Sequence, residues 1–453
     1  MIAEPSLIYS PREKWLVSLS AMLGFCLDFY NVIIMAFLFS AIEAALSITF
    51  VQAGLIVAMT LTASVVGGLL VGFLGDMIGR KNALLVSLVL ISIGAILSAF
   101  AWNFESLLIF RILAGVGVGG EWGAGIVLFV EVCGEKRRGL GSGTIQAMSA
   151  AGLALASIVS SYALTHFTHD LAWRISIAFG GAPILLTVFI RTAMPESKLW
   201  TAFKARERLA ASAGEKIARI SPFAGTFRVA SGKFFAVGTM MVGGFIISYQ
   251  SATVFMPVLM GRVLGAGPES VRNAVLVWAA FVFAANVLAG YFGDLVGRKR
   301  TITISSIITM AGFVAIFFTG TTHFPGTFLT WPLFWAYVLW GFGQGGSGQF
   351  GPWLAELYPV EFRTTATSTI YTVGRLVGSA APYVVPALAG VFGSLLDAMM
   401  IGFIGALVSF GMAFLLPETA GRRFAVVEDW QGTGVRDQAA MKLEFGTENS
   451  GER

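Results

Sequence analysis

Long apolar runs, separated by short polar stretches, recur along the whole chain. A run of about 20 residues crosses a hydrocarbon core of about 30 Å at 1.5 Å per helical residue. The pattern predicts twelve such runs, near 15–42, 50–74, 83–101, 107–132, 140–165, 171–193, 233–260, 271–293, 301–320, 331–355, 364–390 and 394–416. A membrane β-strand needs only about 10 alternating residues, so the runs read as helices. The expected fold is an all-α polytopic membrane protein.

Composition agrees. Of the 453 residues 56% are hydrophobic and 12% charged, with mean hydropathy +0.79. Soluble domains carry about a quarter charged residues, and this chain could not cover its surface with polar groups. The net charge of +5 does not point to nucleic acid, because the basic residues segregate. With the N-terminus inside, the inner segments collect Arg12, Lys14, Arg80, Lys81, Lys136 to Arg138, Arg298 to Arg300, Arg363 and the basic central loop and tail. The outer side holds Arg174, Arg262 and Arg272. This positive-inside bias predicts cytoplasmic termini and a multi-pass protein of the cell membrane.

The segment Met1–Lys14 lacks a short apolar core with a small-residue cleavage site, so the first run is expected to be retained. Cys26 and Cys133 lie in the first run and at the inner end of the fourth, which suits neither a disulfide framework nor a metal site. His166, His169 and His323 fall in predicted outer loops as solvated side chains.

An internal repeat organises the chain. GFLGDMIGRKNALL at 72–85 returns as GYFGDLVGRKRTIT 218 positions later. Glu131 and Arg138 are seven apart, as are Glu356 and Arg363 at an offset of 225, and PES at 195–197 returns as PET at 417–419. The matches divide the chain into a six-helix half at 1–193, a linker at 194–232, a second half at 233–416 and a tail at 417–453. An even number of helices gives both halves the same orientation, and parallel repeats in a membrane point to a transporter with its site between halves.

With these motifs the chain resembles the major facilitator superfamily, over nearly its whole length. The signature G-x-x-x-D-x-x-G-R-K stands at Gly72, Asp76, Gly79, Arg80 and Lys81, and again at Gly290, Asp294, Gly297, Arg298 and Lys299. The glycines suit a tight reversal between helices. Asp76 and Asp294 can then face the positive N-terminal end of a helix from the opposite half. Glu131 with Arg138 and Glu356 with Arg363 extend this charge layer, which is expected to form an inner gate. Solvated loop charge is the alternative for part of Arg80, Lys81 and Arg298 to Arg300.

Charges within the runs cost at least about 2.5–3.5 kcal/mol each and are functional candidates. Asp28 lies in GFCLDFYN, Arg111 and Glu121 in RILAGVGVGGEWGAG, and Arg375 in YTVGRLVG. Proton-coupled sugar porters and metabolite:proton symporters of the superfamily are similar here, with an acid mid-way along the first helix and an arginine ahead of a Gly-rich fourth. That resemblance implies that Asp28 accepts the coupling proton and that Arg111 is its partner, a static ion pair being the alternative. Glu121, about 15 Å below Arg111 on the same helix, is either a second proton site or a cavity wall. GGEWGAG, with Trp173, Arg174 and Pro195 to Trp200, resembles the sialate and monocarboxylate branches of the metabolite:proton symporters. The repeat counterpart of Arg375 is Ala150, so the scaffold does not explain this arginine. A guanidinium binds carboxylate bidentately, which suits an anionic substrate; a counter-ion to Glu121 or Asp28 is the alternative.

Asn31, Gln146, Trp122, Tyr249, Gln250, Gln344, Gln349 and Tyr371 could complete a polar cavity. The glutamine-rich seventh helix of sugar porters and the paired first-helix acids of aromatic-acid symporters are both missing. The expected function is proton-coupled symport of a small organic anion by alternating access. A sugar or polyol is the alternative substrate, with a non-transporting sensor on the same fold as a further possibility. No cofactor, metal or nucleic acid is expected, and the partners are the substrate, the proton and the bilayer around a monomer. Gly115, Gly117 and Gly120 match the dinucleotide pattern G-x-G-x-x-G, but no strand precedes them and no βαβ unit surrounds them. They are read instead as close helix packing in a membrane.

Overall fold

The computed structural model describes residues 9–132, 138–212, 221–228, 232–260, 264–265, 268–320, 331–359 and 362–420. Cys133, Lys136, Arg137, Arg262, His323, part of the central loop and most of the tail lie outside them. All regular structure in the described residues is helical. The first half contains α1 (Pro11–Leu46), α2 (Phe50–Ile78), α3 (Arg80–Ala99), α4 (Phe104–Val132), α5 (Arg138–His166), α6 (His169–Phe179) and α7 (Pro183–Ala193). Two linker helices follow, α8 (Lys198–Ser212) and α9 (Pro222–Arg228). The second half contains α10 (Lys233–Thr253), α11 (Phe255–Val258), α12 (Pro268–Val296), α13 (Arg298–Thr319), α14 (Pro332–Gly343), α15 (Phe350–Glu356), α16 (Arg363–Gly378), α17 (Ala381–Phe392), α18 (Leu395–Met399) and α19 (Ile401–Ala413).

Ten helical stretches among the described residues are long and apolar enough to cross a membrane. The runs expected at 331–355 and 364–390 are helical but interrupted. The first is α14, a 3-10 segment at Gln344–Gln349 and α15, where the glycines of QGGSGQ weaken the α-helical ladder. The second is α16 followed by α17, which restarts with Pro382 in its first turn, where the missing N–H costs no helical bond. The exterior is apolar in turn: Leu185, Phe318 and Val391 remain largely exposed.

Glycines let the helices approach closely. A Cβ at Gly119 of α4 would run into the Ser64 carbonyl and Gly68 nitrogen of α2, and one at Gly117 into α3 at Ser87 and Ile91. The dinucleotide-like pattern is thus a packing surface. Two further seams join the halves. Along α2, Gly68, Gly72 and Gly75 lie against Thr372, Ser368 and Thr364 of α16, one contact per helical turn. Gly139 and Gly143 of α5 lie against Gly290 and Asn286 of α12. Small residues at such crossings allow backbone contact where lipid offers no hydrophobic drive. The largest apolar cluster also spans both halves, from Trp122 and Phe129 of α4 to Trp353 of α15 and Ile370 of α16.

Candidate functional site

Three helices bring charge to the centre, buried on α1 and α4 and half-buried on α16. Asp28 of α1, and Arg111 and Glu121 of α4, are each 1% exposed. Asp28 Oδ1 and Glu121 Oε2 have no hydrogen-bond partner. Glu121 lies against α1 one turn from Asp28, because its Oε1 would be 2.6 Å from a Cβ at Gly24. Arg375 of α16 is the cation whose field reaches both carboxylates. Its guanidinium carbon stands 5.3 Å over the Tyr371 ring, and Tyr371 stacks on Trp122 at 3.6 Å and 12°. Indole, phenol and guanidinium therefore form one column across the two halves, beside the two carboxylates. Among the described residues Arg375 makes no ion pair within 4 Å.

Arg111 does not meet Asp28. Its Nη2 donates to the Asn31 backbone carbonyl at 2.6 Å, while Nε and Nη1 find no partner. Matching depth along two helices does not set the direction of a side chain around each axis, and Arg111 reaches α1 almost a turn beyond the aspartate. Asn31 is likewise drawn away from a cavity role: its Nδ2 donates to Leu27 and Gly180 carbonyls at 3.0 and 2.7 Å, tying α1 to the α6–α7 break. Gln344 donates to Thr309 Oγ1 at 3.3 Å and Gln349 to the Ala289 carbonyl at 3.1 Å, so their donors serve packing within the second half. Tyr249 sits among Phe29, Phe245 and Trp340. Gln146 and Gln250 are half-buried, and no side-chain hydrogen bond occupies them among the described residues.

A second cluster lies at the end of the bundle that carries the repeated loops. Asp76 Oδ2 accepts from the Thr365 backbone N–H at 2.8 Å and from its hydroxyl at 2.7 Å, at the N-terminus of α16. Asp294 mirrors it, accepting from the backbone of Gly139 at 2.7 Å and Leu140 at 2.8 Å at the N-terminus of α5. Each aspartate thus faces the positive end of a helix from the other half. Arg80 pairs with Asp76 at 3.2 Å and Glu131 at 3.4 Å, and Arg298 with Asp294 at 2.7 Å and Glu356 at 3.3 Å. Two pairs cross between halves, Glu131 with Arg363 at 3.2 Å and Glu356 with Arg138 at 3.7 Å. Arg80 and Arg298 are fully buried, so the solvated-loop alternative does not hold for either.

Residues 21–382 and 240–434 match the Major Facilitator Superfamily model.

The chain belongs to the major facilitator superfamily.

It is a multi-pass membrane transporter and not an enzyme. It is similar to a probable 4-methylmuconolactone transporter of Cupriavidus pinatubonensis, 28% identical over 91% of this chain and 92% of that protein. The sialic acid transporter NanX of Escherichia coli is 25% identical over 84% of this chain and 89% of its own. Among solved structures, the proton:xylose symporter XylE bound to 6-bromo-6-deoxy-D-glucose aligns with a TM-score of 0.78 at 19% identity, covering 93% of this chain and all of that one. That likeness shows the fold.

Four residues of the transporter's charged end were visible in sequence only as a repeat. Glu196 accepts from the backbone of Arg80 and Lys81 at 2.9 and 3.1 Å, capping α3, and Glu418 caps α13 through Arg298 and Lys299 at 2.9 and 3.0 Å. Ser197 and Thr419 donate to Glu131 and Glu356, each at 2.6 Å. The PES and PET triplets carried this signal. Gly79 and Gly297 stand in the same loops at φ 103° and 101°, where a Cβ would meet the capping glutamates.

Proposed function

We propose that this transporter imports a small organic anion together with a proton. Its two six-helix bundles, 1–193 and 233–416, would rock about the central site, giving twelve crossings with both termini in the cytoplasm of a plasma-membrane monomer. The linker 194–232 and tail 417–453 would flank the inner face. Arg375 binds the substrate carboxylate, Asp28 and Glu121 carry the proton, and Gln146, Gln250, Tyr249 and Tyr371 line the path. The charge layer from Asp76 to Arg363 is the inner gate, closed here, and its release opens the site inward.

The observation that carries this reading is Arg375, in no ion pair among the described residues, whose charge reaches two buried carboxylates. An arginine shared by two acids and held in no ion pair is available to an incoming anion. Once the anion takes it, the negative charge carried by Asp28 and Glu121 loses its cation, which makes a proton the favoured companion. Arg111, bound to the Asn31 carbonyl, acts in this reading by holding α1 in register. The acid transported by the sialic acid relative fits the same substrate class.

The test uses proteoliposomes with an inward proton gradient and labelled carboxylates, sugars and phosphate. Accumulation of a carboxylate is expected, abolished in Arg375→Ala, with gradient-independent exchange surviving in Asp28→Asn. Sugar accumulation with Arg375→Ala fully active would sink the anion reading.

A further inference from the structure

Two buried carboxylates that each leave an oxygen unpaired need an explanation of how they came to share one level of the membrane. Glu121 is reached by following its side chain. Its Oε1 lies where a Cβ at Gly24 of α1 would be 2.6 Å away and a Cβ at Gly125, one turn on in α4, would be 3.4 Å away. The carboxylate therefore occupies a slot walled by glycine on both helices. Gly24 is one helical turn before Asp28 on α1, so the slot holds the second acid one turn from the first.

The geometry points to Gly24 as a positioning residue that makes Asp28 and Glu121 a single proton-sharing unit. This rests on the proton-coupled reading above. Both carboxylates are 1% exposed, and Asp28 Oδ1 and Glu121 Oε2 each lack any partner. Two ionised acids at that depth, with unpaired oxygens, would add mutual repulsion to the cost of burial. One resident proton, shared between them, removes the repulsion and leaves one negative charge for Arg375. An arriving anion competes for that arginine, and a second proton then neutralises the pair. The unit thus holds one proton at rest and gains one with each anion.

The charged groups facing the pair are few. Arg375 comes from α16, and Arg111, higher on α4, is turned to the Asn31 carbonyl. Arg12, Glu13, Lys14 and Glu43 of α1, Asp76 of α2, Arg80 and Lys81 of α3, Glu105 and Glu131 of α4, Arg138 and His166 of α5, Glu356 of α15 and Arg363 of α16 all stand at or near helix ends, and His169, Asp170 and Arg174 lie in the first turns of α6. The titration of the centre therefore belongs to the two acids and one arginine.

Gly24→Ala tests the slot because the atom its methyl meets is the free end of the Glu121 side chain, not backbone. The helices keep their packing and the carboxylate moves. Infrared titration of the buried carboxyl stretch in purified protein reads the pair without a substrate. The wild type is expected to titrate in two steps more than about one pH unit apart, as strongly interacting acids do. Gly24→Ala should bring the steps together, while Glu121→Gln leaves a single step in either background. A Gly24→Ala titration matching wild type, or independent single steps for Asp28 and Glu121 in the wild type, would overturn the shared unit. Uptake of labelled sialic acid and 4-methylmuconolactone in proteoliposomes separates the two levels. Uptake of a probe that ignores the proton gradient sinks the symport reading whatever Gly24 does. Gradient-driven uptake with an unmoved Gly24→Ala titration sinks only the slot.

Discussion

Glu131 of α4 and Arg363 at the start of α16 meet at 3.2 Å across the two halves, both shielded from solvent. Their repeat counterparts, Glu356 and Arg138, meet at 3.7 Å. Each glutamate also takes an arginine of its own half and a hydroxyl from the triplet after its bundle. The layer thus holds two equivalent cross-half pairs, and in the proposed gating both would have to break.

Removing one partner of a buried pair costs about 3–5 kcal/mol when the other charge is left alone. In Arg363→Leu, Glu131 keeps Arg80 and Ser197, so the protein should fold while the closed arrangement loses population. A cysteine at Ser368, inside the α2–α16 seam, placed in a background without Cys26 and Cys133, reports this by alkylation from the loop end. Faster labelling in Arg363→Leu is expected, and equal labelling rates would remove Arg363 from the gate.

The repeated loop glycines should be intolerant of side chains for a conformational reason. Gly79→Ala and Gly297→Ala place a Cβ at φ above 100° with ψ near 160°, a glycine-only region, at a strain of about 1–3 kcal/mol, and push on Glu196 and Glu418 as well. Gly54→Ala and Gly411→Ala have open space around the new atom and lie inside helices, where alanine gains about 0.5–1 kcal/mol. Thermal melts should order the four variants accordingly, with the loop pair below wild type and the helix pair at or above it.

Gly119→Ala carries a different penalty, because the obstruction is α2 backbone at Ser64 and Gly68. Overpacking of this kind costs about 1–3 kcal/mol and rises where backbone must move. Loss of a monodisperse peak in size exclusion is the expected outcome. A well-folded, active Gly119→Ala would show that α2 and α4 do not need their backbone contact.

Glu196 should make part of the stability pH-dependent. Burial raises its carboxyl above the usual glutamate value, against backbone hydrogen bonds from Ser197 and Lys81 and the Arg80 charge, which lower it. A raised folded value means that its contribution is full below the unfolded value and lost as pH rises through the folded one. Glu196→Gln cannot titrate, so its melting temperature relative to wild type should climb as pH rises through that window. A difference that stays constant with pH would remove Glu196 as the source.

The charge layer was legible because one motif occurs twice at a nearly constant offset, so the fold predicted partners for Asp76 and Asp294 before any side chain was placed. Glu196, Ser197, Glu418 and Thr419 were legible only as repeated triplets, since a carboxylate capping a helix 116 residues away in sequence leaves no local period. The amides were legible only as polar positions. The nitrogens of Asn31, Gln344 and Gln349 each donate to a neighbouring helix or carbonyl, while their side-chain oxygens are left without a partner, and no local pattern in the sequence separates the two.

The sequence by itself determined the helical membrane class, the two repeats, the superfamily and which charges lie within the apolar runs, because hydrocarbon thickness and the cost of burying charge act residue by residue along the chain. Only the tertiary structure decided which charges meet. Azimuth around each axis and the closeness of each crossing turn Arg111 to the Asn31 carbonyl, bring Glu121 into the slot at Gly24, and stack Trp122 on Tyr371 beneath Arg375. These depend on how helices distant in sequence pack, and no spacing within one helix encodes them.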